Sequence, residues 1–202
     1  MGAGPTRVGT SDAKWDEEIP LFWQPGGELT MQVRLLTEQD ARALWEFRRV
    51  ALEKGPWAFA ESPEELEKIP VEEYSQRLRE GTAANFVVGA FEGEALVGTT
   101  GFYQDTLAKR RHKGTIWGVF VLPEARGRGM GRALMQRAIE TARAVPGIDQ
   151  ILLTVSVSQP AARALYVACG FKSIGIEPRG LKIGERAVDE EHMVLDLTRI
   201  ST

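Results

Sequence analysis

The 202-residue sequence predicts an α/β fold, a central sheet with helices on both faces. Three observations carry that prediction. Residues 115–122 are apolar on both strand faces apart from Thr115, end at Pro123, and pass through Gly127, Gly129 and Gly131 straight into a helical pattern. A second apolar run, residues 152–157, again leads into a helix, this one opening at Pro160. Between the first helical region and these runs, residues 85–91 and 95–103 flank Glu92-Gly93-Glu94 as the two arms of a hairpin.

Taken in order, residues 1–30 are rich in Gly, Pro and acidic side chains, with Trp15, Phe22 and Trp23 scattered among them. They are expected to form an N-terminal extension outside the core, either disordered or covering an apolar patch or a neighbouring subunit. Met1-Gly2-Ala3-Gly4-Pro5-Thr6 fits the loose myristoylation pattern, but no polybasic patch supplies the second anchor that stable membrane binding needs. The folded domain is expected over residues 31–197, with 198–202 as a tail. Residues 31–36 alternate as a strand, and Thr37-x-x-Asp40 starts a helix with Ala41, Leu44, Trp45, Ala51 and Leu52 at near-helical spacing. A loop over 57–62 precedes a second helical region, 63–80, interrupted near Pro70. After the hairpin comes a polar, basic loop containing His112. The helix over 129–144 presents Leu134, Ala138, Ala142 and Val145 as one stripe. A helix over 160–169 stops at Gly170, and strands over 171–176 and 187–197 are joined by a loop containing Pro178-Arg179-Gly180.

Composition narrows the function. With 25 basic and 28 acidic residues the formal charge is −3, so there is no general electrostatic case for nucleic acid or an anionic membrane. No apolar run reaches the length of a transmembrane helix and the N-terminus lacks a basic-then-apolar signal pattern, which predicts a soluble protein, and the single cysteine suits a reducing cytoplasm, so a cytoplasmic protein is expected. A single cysteine, Cys169, excludes an intrachain disulfide. Together with only His112 and His192 it leaves no cluster for a structural metal. Cys169 itself reads as a small apolar helix residue.

The glycine loop carries the chemistry. Alternating glycines permit positive φ and close approach to the main chain, while the first N–H groups of the following helix and its dipole favour an anion. Arg126, Arg128 and Arg132 add full charge around that focus. The loop lacks the Gly-Lys-Ser or Gly-Lys-Thr of a nucleotide P-loop, and Arg132 stands where a dinucleotide loop needs its last glycine.

What the residues do match is Arg126-x-x-Gly129-x-Gly131 after a Val121-x-Pro123 strand end, and Gln159 to Phe171 with Ala162, Leu165-Tyr166 and Gly170-Phe171 in place. Together these resemble the two signature blocks of the GNAT superfamily of N-acetyltransferases. The resemblance covers residues 31–197 and is most specific over 115–171. It implies the GNAT fold, a mixed sheet splayed between two parallel strands, and acetyl-CoA as co-substrate with no metal. It further implies that backbone groups of Phe120 and Val121 bind the pantetheine amides. The N–H groups of Gly127, Arg128, Gly129, Met130, Gly131 and Arg132, with the Arg126 side chain nearby, would hold the pyrophosphate. Gln159 stands where the family has asparagine, which leaves its contact to the pantetheine arm open. Tyr166 matches the tyrosine beside the CoA sulfur and is the candidate general acid.

The general base is not legible, because residues 115–121 hold no carboxylate; Asp189, Glu190 and His112 are the candidates, acting through water. Arg48, Trp57, Phe59, Trp117, Asp189 and Glu190 are the candidate acceptor-site residues, the acids for a cationic amine and Arg48 for a carboxylate. The leading expectation is direct acetyl transfer to a primary amine of a small molecule, with no nucleic-acid or membrane partner and a homodimer left open. A peptide or protein amine is the second reading, and a non-catalytic acyl-CoA sensor the third.

Overall fold

The computed structural model describes residues 31–198. The extension with Trp15, Phe22 and Trp23, the myristoylation pattern and residues 199–202 lie outside them. Seven strands form one sheet: β1 (Met31–Leu35), β2 (Asn85–Glu92), β3 (Ala95–Gln104), β4 (Lys113–Val121), β5 (Gln150–Ser156), β6 (Lys172–Ile183) and β7 (Arg186–Asp196). Five helices accompany them: α1 (Ala41–Lys54), α2 (Pro63–Leu66), α3 (Val71–Arg79), α4 (Met130–Arg143) and α5 (Pro160–Ala168). The strand order is β1-β2-β3-β4-β5-β7-β6, and only β4 and β5 run parallel.

Helices cover both faces, as the register of β4 makes plain. Phe120 points to α1, its ring 6.3 Å from that of Phe47. Its neighbour Val121 points the other way, and with Leu134 of α4 it closes over Gly98 on β3, where a Cβ would meet both side chains at 3.0–3.2 Å. The core stripe of α4 is wider than expected, adding Met130, Met135 and Ile139 to Leu134, Ala138 and Ala142. In α1, Phe47 is a buried core residue that the spacing argument missed. Trp45 is only partly buried, its indole N–H donating to the Ile69 carbonyl at 2.9 Å.

Two features of the sheet shape the site. β4 and β5 pair through three residues only, Lys113–Thr115 against Gln150–Leu152, and then part. Where they part, β4 carries a bulge: Gly118 and Val119 face Thr100 alone, with Gly118 at φ +62° and its carbonyl accepting from Thr99 Oγ1 at 3.1 Å. The expected loop at Pro178-Arg179-Gly180 is not a loop. β6 continues through it to Ile183 with a register shift between Glu177 and Leu181, and the chain reverses at Gly184. A proline is tolerated there because β6 is an edge strand and the segment is bulged.

The entry to α1 is fixed by one carboxylate. Asp40 accepts from Arg34 Nη1 and Nη2 at 2.8 and 2.7 Å, and from the Thr37 N–H and hydroxyl at 2.8 and 3.1 Å. The Arg34 hydrogen bonds outweigh the cost of burial and hold the Asp40 carboxyl below the usual carboxylate range. A carboxyl whose native value is depressed stabilises the fold fully above its unfolded value, about pH 4, and loses that contribution as pH falls through the native value. Asp40→Ala is therefore expected to cost about 1–2 kcal/mol at pH 7. Urea denaturation should show the gap between variant and wild type closing as the pH is lowered below about 4.

Candidate active site

Where β4 bends away from β5, the gap becomes a cavity of about 400 Å³. Phe120, Val121, Arg126, Gly127, Gly129, Met130, Gly131, Arg132, Gln159 and Tyr166 all line it, so most of the candidate cofactor residues converge on one channel. Trp57 lines this same channel rather than the acceptor side, with the Arg186 guanidinium 5.2 Å from its ring. The cradle is backbone: Gly127 and Gly129 sit at φ +77° and +82°, nothing lies within 4 Å of where their Cβ atoms would be, and Gly129 is the N-cap of α4. Gly131 serves differently. It is helical, and a Cβ there would lie 3.2 Å from Leu165 Cδ2, so its bareness allows close approach of α4 and α5.

The three arginines of the loop are not equivalent. Arg126 folds back, its Nε donating to the Val121 carbonyl at 2.9 Å and its guanidinium 5.2 Å from the Phe120 ring. Arg128 turns away from the channel: Nη2 donates to the Glu124 carbonyl, and Nη1 lies 2.7 Å from Glu92 Oε1 in an ion pair off hydrogen-bond alignment. Arg132 lines the channel from the first turn of α4.

Tyr166 is held by its helix. Pro160 occupies the first turn of α5, Gly170 closes the C-terminus at φ +94°, and Arg163 forms a two-pronged pair with the buried Glu191 of β7 at 2.6 and 3.1 Å. The Tyr166 ring is buried beside Phe171, centroids 6.3 Å apart. Burial first, and then Cys169, raise its phenol well above the ordinary value, so it stays protonated. The Cys169 thiol is raised by burial too, in keeping with an inert packing group.

A second cavity, about 900 Å³, lies on the α1 side of β4. Arg48, Phe59, Trp117 and Glu190 line it as expected, joined by Tyr74 and Glu61, which sequence reasoning did not single out. Arg48 donates from Nε to Glu61 Oε2 at 2.9 Å and stacks 4.4 Å over Phe59, so its charge is already matched. Trp117 is 40% exposed and lies across Gly101, whose missing side chain gives the indole its place. Tyr74 is buried, and burial followed by Glu61 raises its phenol.

Two of the expected proton acceptors lie elsewhere. His112 stands at the start of β4, the far end from the gap, with its carbonyl taken by the Asp149 and Gln150 N–H groups. Asp189 lines neither cavity, and its carboxylate accepts the Arg179 N–H at 2.8 Å. Glu190 does line the cavities. His192, passed over in the sequence, bridges Thr154 Oγ1 and Glu177 Oε2 at 3.2 and 2.9 Å close by. That bridge joins three strands and leaves no local sequence signal.

A sheet opened between two parallel strands, with a glycine cradle at a helix start and a buried tyrosine beside the opening, defines an acyl-CoA-dependent transferase architecture. The model of the acetyltransferase (GNAT) family matches residues 42–171, and the chain belongs to that family and is an acyltransferase. Spermidine N(1)-acetyltransferase of Vibrio cholerae is 27% identical over 135 residues, which span 67% of this chain and 73% of that protein. A GNAT-family acetyltransferase of Streptococcus pneumoniae superposes with a TM-score of 0.75 at 25% identity, covering 83% of this chain and 99% of that one. The phosphinothricin acetyltransferase of Sinorhizobium meliloti, solved with acetyl-CoA, superposes with a TM-score of 0.71 at 24% identity over 84% of this chain and 89% of that one. Among the described residues there is no group of three or more His, Cys, Asp or Glu placed to hold a metal ion, and no helix long and apolar enough to cross a membrane.

The arginine geometry predicts unequal costs. The Glu92 side chain is only 3% exposed, so Arg128→Ala strands it and is expected to destabilise by about 1–3 kcal/mol. Arg132→Ala should change stability by less than about 0.5 kcal/mol. Urea denaturation of the two variants side by side checks the contrast.

Proposed function

We propose that this protein transfers the acetyl group of acetyl-CoA to a primary amine of a small molecule by direct attack, with Tyr166 as general acid. The observation that carries this reading is the meeting of two cavities at the parted strands. The channel ends in a backbone anion cradle suited to a pyrophosphate, and the larger cavity opens from the other side onto the same point. Phe120 and Val121 border the channel where β4, still paired to β3, has parted from β5, so an extended amide-bearing arm can lie along that edge. Gln159 borders it from the start of α5.

The acceptor cavity, a recess of about 900 Å³ walled by Phe59, Tyr74 and Trp117, is of a size suited to a small molecule. Its aromatic walls, with Glu190 unpaired among the described residues and Glu61 partnered, favour an amine that is cationic in solution. The Vibrio relative, named for spermidine, supports the same substrate class. Backbone N–H groups of β4 would polarise the acetyl carbonyl. Tyr166 hydrogen-bonds the departing sulfur and gives up its proton there; the burial that raises its phenol also raises the affinity of a desolvated thiolate for a proton.

Two measurements test this. Acetyl-CoA at a hundred times its Kd should stabilise the protein by about 2.7 kcal/mol, read as a rise in melting temperature. Thiol release across a panel of small amines that includes spermidine should show turnover, and Tyr166→Phe should lower kcat about 10²-fold while leaving the KM for acetyl-CoA within about two-fold. Binding without thiol release would mark a sensor, and an unchanged kcat in Tyr166→Phe where chemistry limits the rate would make Tyr166 a packing residue.

A further inference from the structure

We infer that Glu190 is the catalytic residue that accepts the proton from the amine, and that the bulge in β6 holds its carboxylate between the two cavities. The inference rests on the acetyltransferase reading and deepens it. Among the described residues five line both cavities, Ala58, Phe59, Ala60, Thr154 and Glu190, and Glu190 alone of these titrates in the working pH range. An amine in the larger cavity must pass this point to reach an acyl group in the channel.

Glu190 has no hydrogen-bond or ion-pair partner among the described residues, unlike Glu191 beside it, which is locked to Arg163. Its side chain rests on the bare backbone of Gly180, where a Cβ would come within 2.7 Å of Oε2 and 2.8 Å of Cγ. Gly180 lies there because of the bulge. Arg179 adopts φ +58°, a conformation costly for a residue with a Cβ, and its N–H is held by Asp189. Asp189 is therefore a positioning residue: it fixes the bulge that leaves room for its neighbour.

The charges around Glu190 come from several elements. Glu177 stands directly opposite in register on β6, and His192 lies two residues along β7 with its Nε2 on Glu177. Arg48 of α1, Arg77 of α3 and Glu61 line the larger cavity, and Tyr166, Arg126 and Arg132 line the channel. Burial, and then the negative charge of Glu177, raise the Glu190 carboxyl, while His192 opposes them. A carboxylate so raised is a stronger base near neutral pH.

The step balances. The acceptor ammonium gives one proton to the Glu190 carboxylate, and the freed nitrogen lone pair forms the C–N bond to the acetyl carbon. The C–S bond breaks with its electron pair going to sulfur, which takes the Tyr166 proton. The second nitrogen proton, lost as the amide forms, restores the phenol, and Glu190 passes its proton to solvent.

The test is the pH dependence of thiol release with spermidine for wild type, Glu190→Gln and Glu177→Gln, with melting shifts on acetyl-CoA recorded for each. Glu190→Gln is expected to lower kcat about 10²-fold and to lose the acidic limb of the wild-type profile while keeping its acetyl-CoA melting shift. Glu177→Gln removes the neighbouring negative charge, so its acidic limb should move to lower pH, an effect that loss of packing would not produce. A Glu190→Gln enzyme with wild-type kcat and limb overturns the proposal while leaving the acetyltransferase reading in place. If Glu190→Gln does not fold, the limb of Glu177→Gln decides, and an unmoved limb overturns the proposal. Absence of thiol release by wild type with spermidine and every amine of the panel overturns the small-amine reading, and this proposal with it.

Discussion

Backbone N–H and C=O groups in the middle of a sheet must be paired, and beyond Thr115 and Leu152 the facing edges of β4 and β5 have no strand between them. The rest of the site follows from that gap. The bulge at Gly118 turns β4 away from its parallel neighbour, and left-handed backbone is available there because residue 118 carries no side chain. Arg48 Nη1 lies 3.2 Å from where a Cβ would stand, so the same bareness admits the guanidinium to the wall of the acceptor cavity. One irregularity in one strand thus opens the channel toward α4 and α5 and shapes the cavity toward α1.

What surrounds the gap is mostly fixed before any ligand arrives. The cradle glycines already hold their positive φ values, α5 is tied to β7 through Arg163 and Glu191, and Arg128 is committed to Glu92. Among the described residues the Glu190 side chain has no hydrogen-bond or ion-pair partner, and beyond Thr115 no strand pairs with the β5 side of β4. A site of this kind needs little reorganisation on binding.

The sequence made the segment from the central strand to Phe171 legible because its signals are local: a strand end, glycines at fixed offsets, Pro160 at one end of a helix and Gly170 at the other. The acceptor side was less legible for physical reasons. Asp189 and Glu190 are adjacent, and in a strand neighbours point to opposite faces, so only the register of β6 against β7 separates the residue that pins Arg179 from the one that reaches the cavities. Arg126, Arg128 and Arg132 look alike in a glycine loop, yet the buried Glu92 that claims Arg128 comes from the end of β2. Pro178 and Gly180 read as a loop because both usually end strands, whereas an edge strand with a bulge accommodates them. Trp57 and Phe59 are two residues apart and look alike as acceptor-site aromatics, yet Phe59 lines both cavities and Trp57 only the channel.

The central claim is that a ligand's main-chain-like arm and pyrophosphate complete the parted sheet. Amide hydrogen exchange with and without acetyl-CoA tests it most directly, because it reports on the backbone groups themselves. Protection is expected to be concentrated at residues 119–121 of β4 and 127–132 of the cradle, with little change in β1 and β2. Unchanged exchange at both segments with saturating acetyl-CoA, or protection confined to other parts of the sheet, would contradict the account.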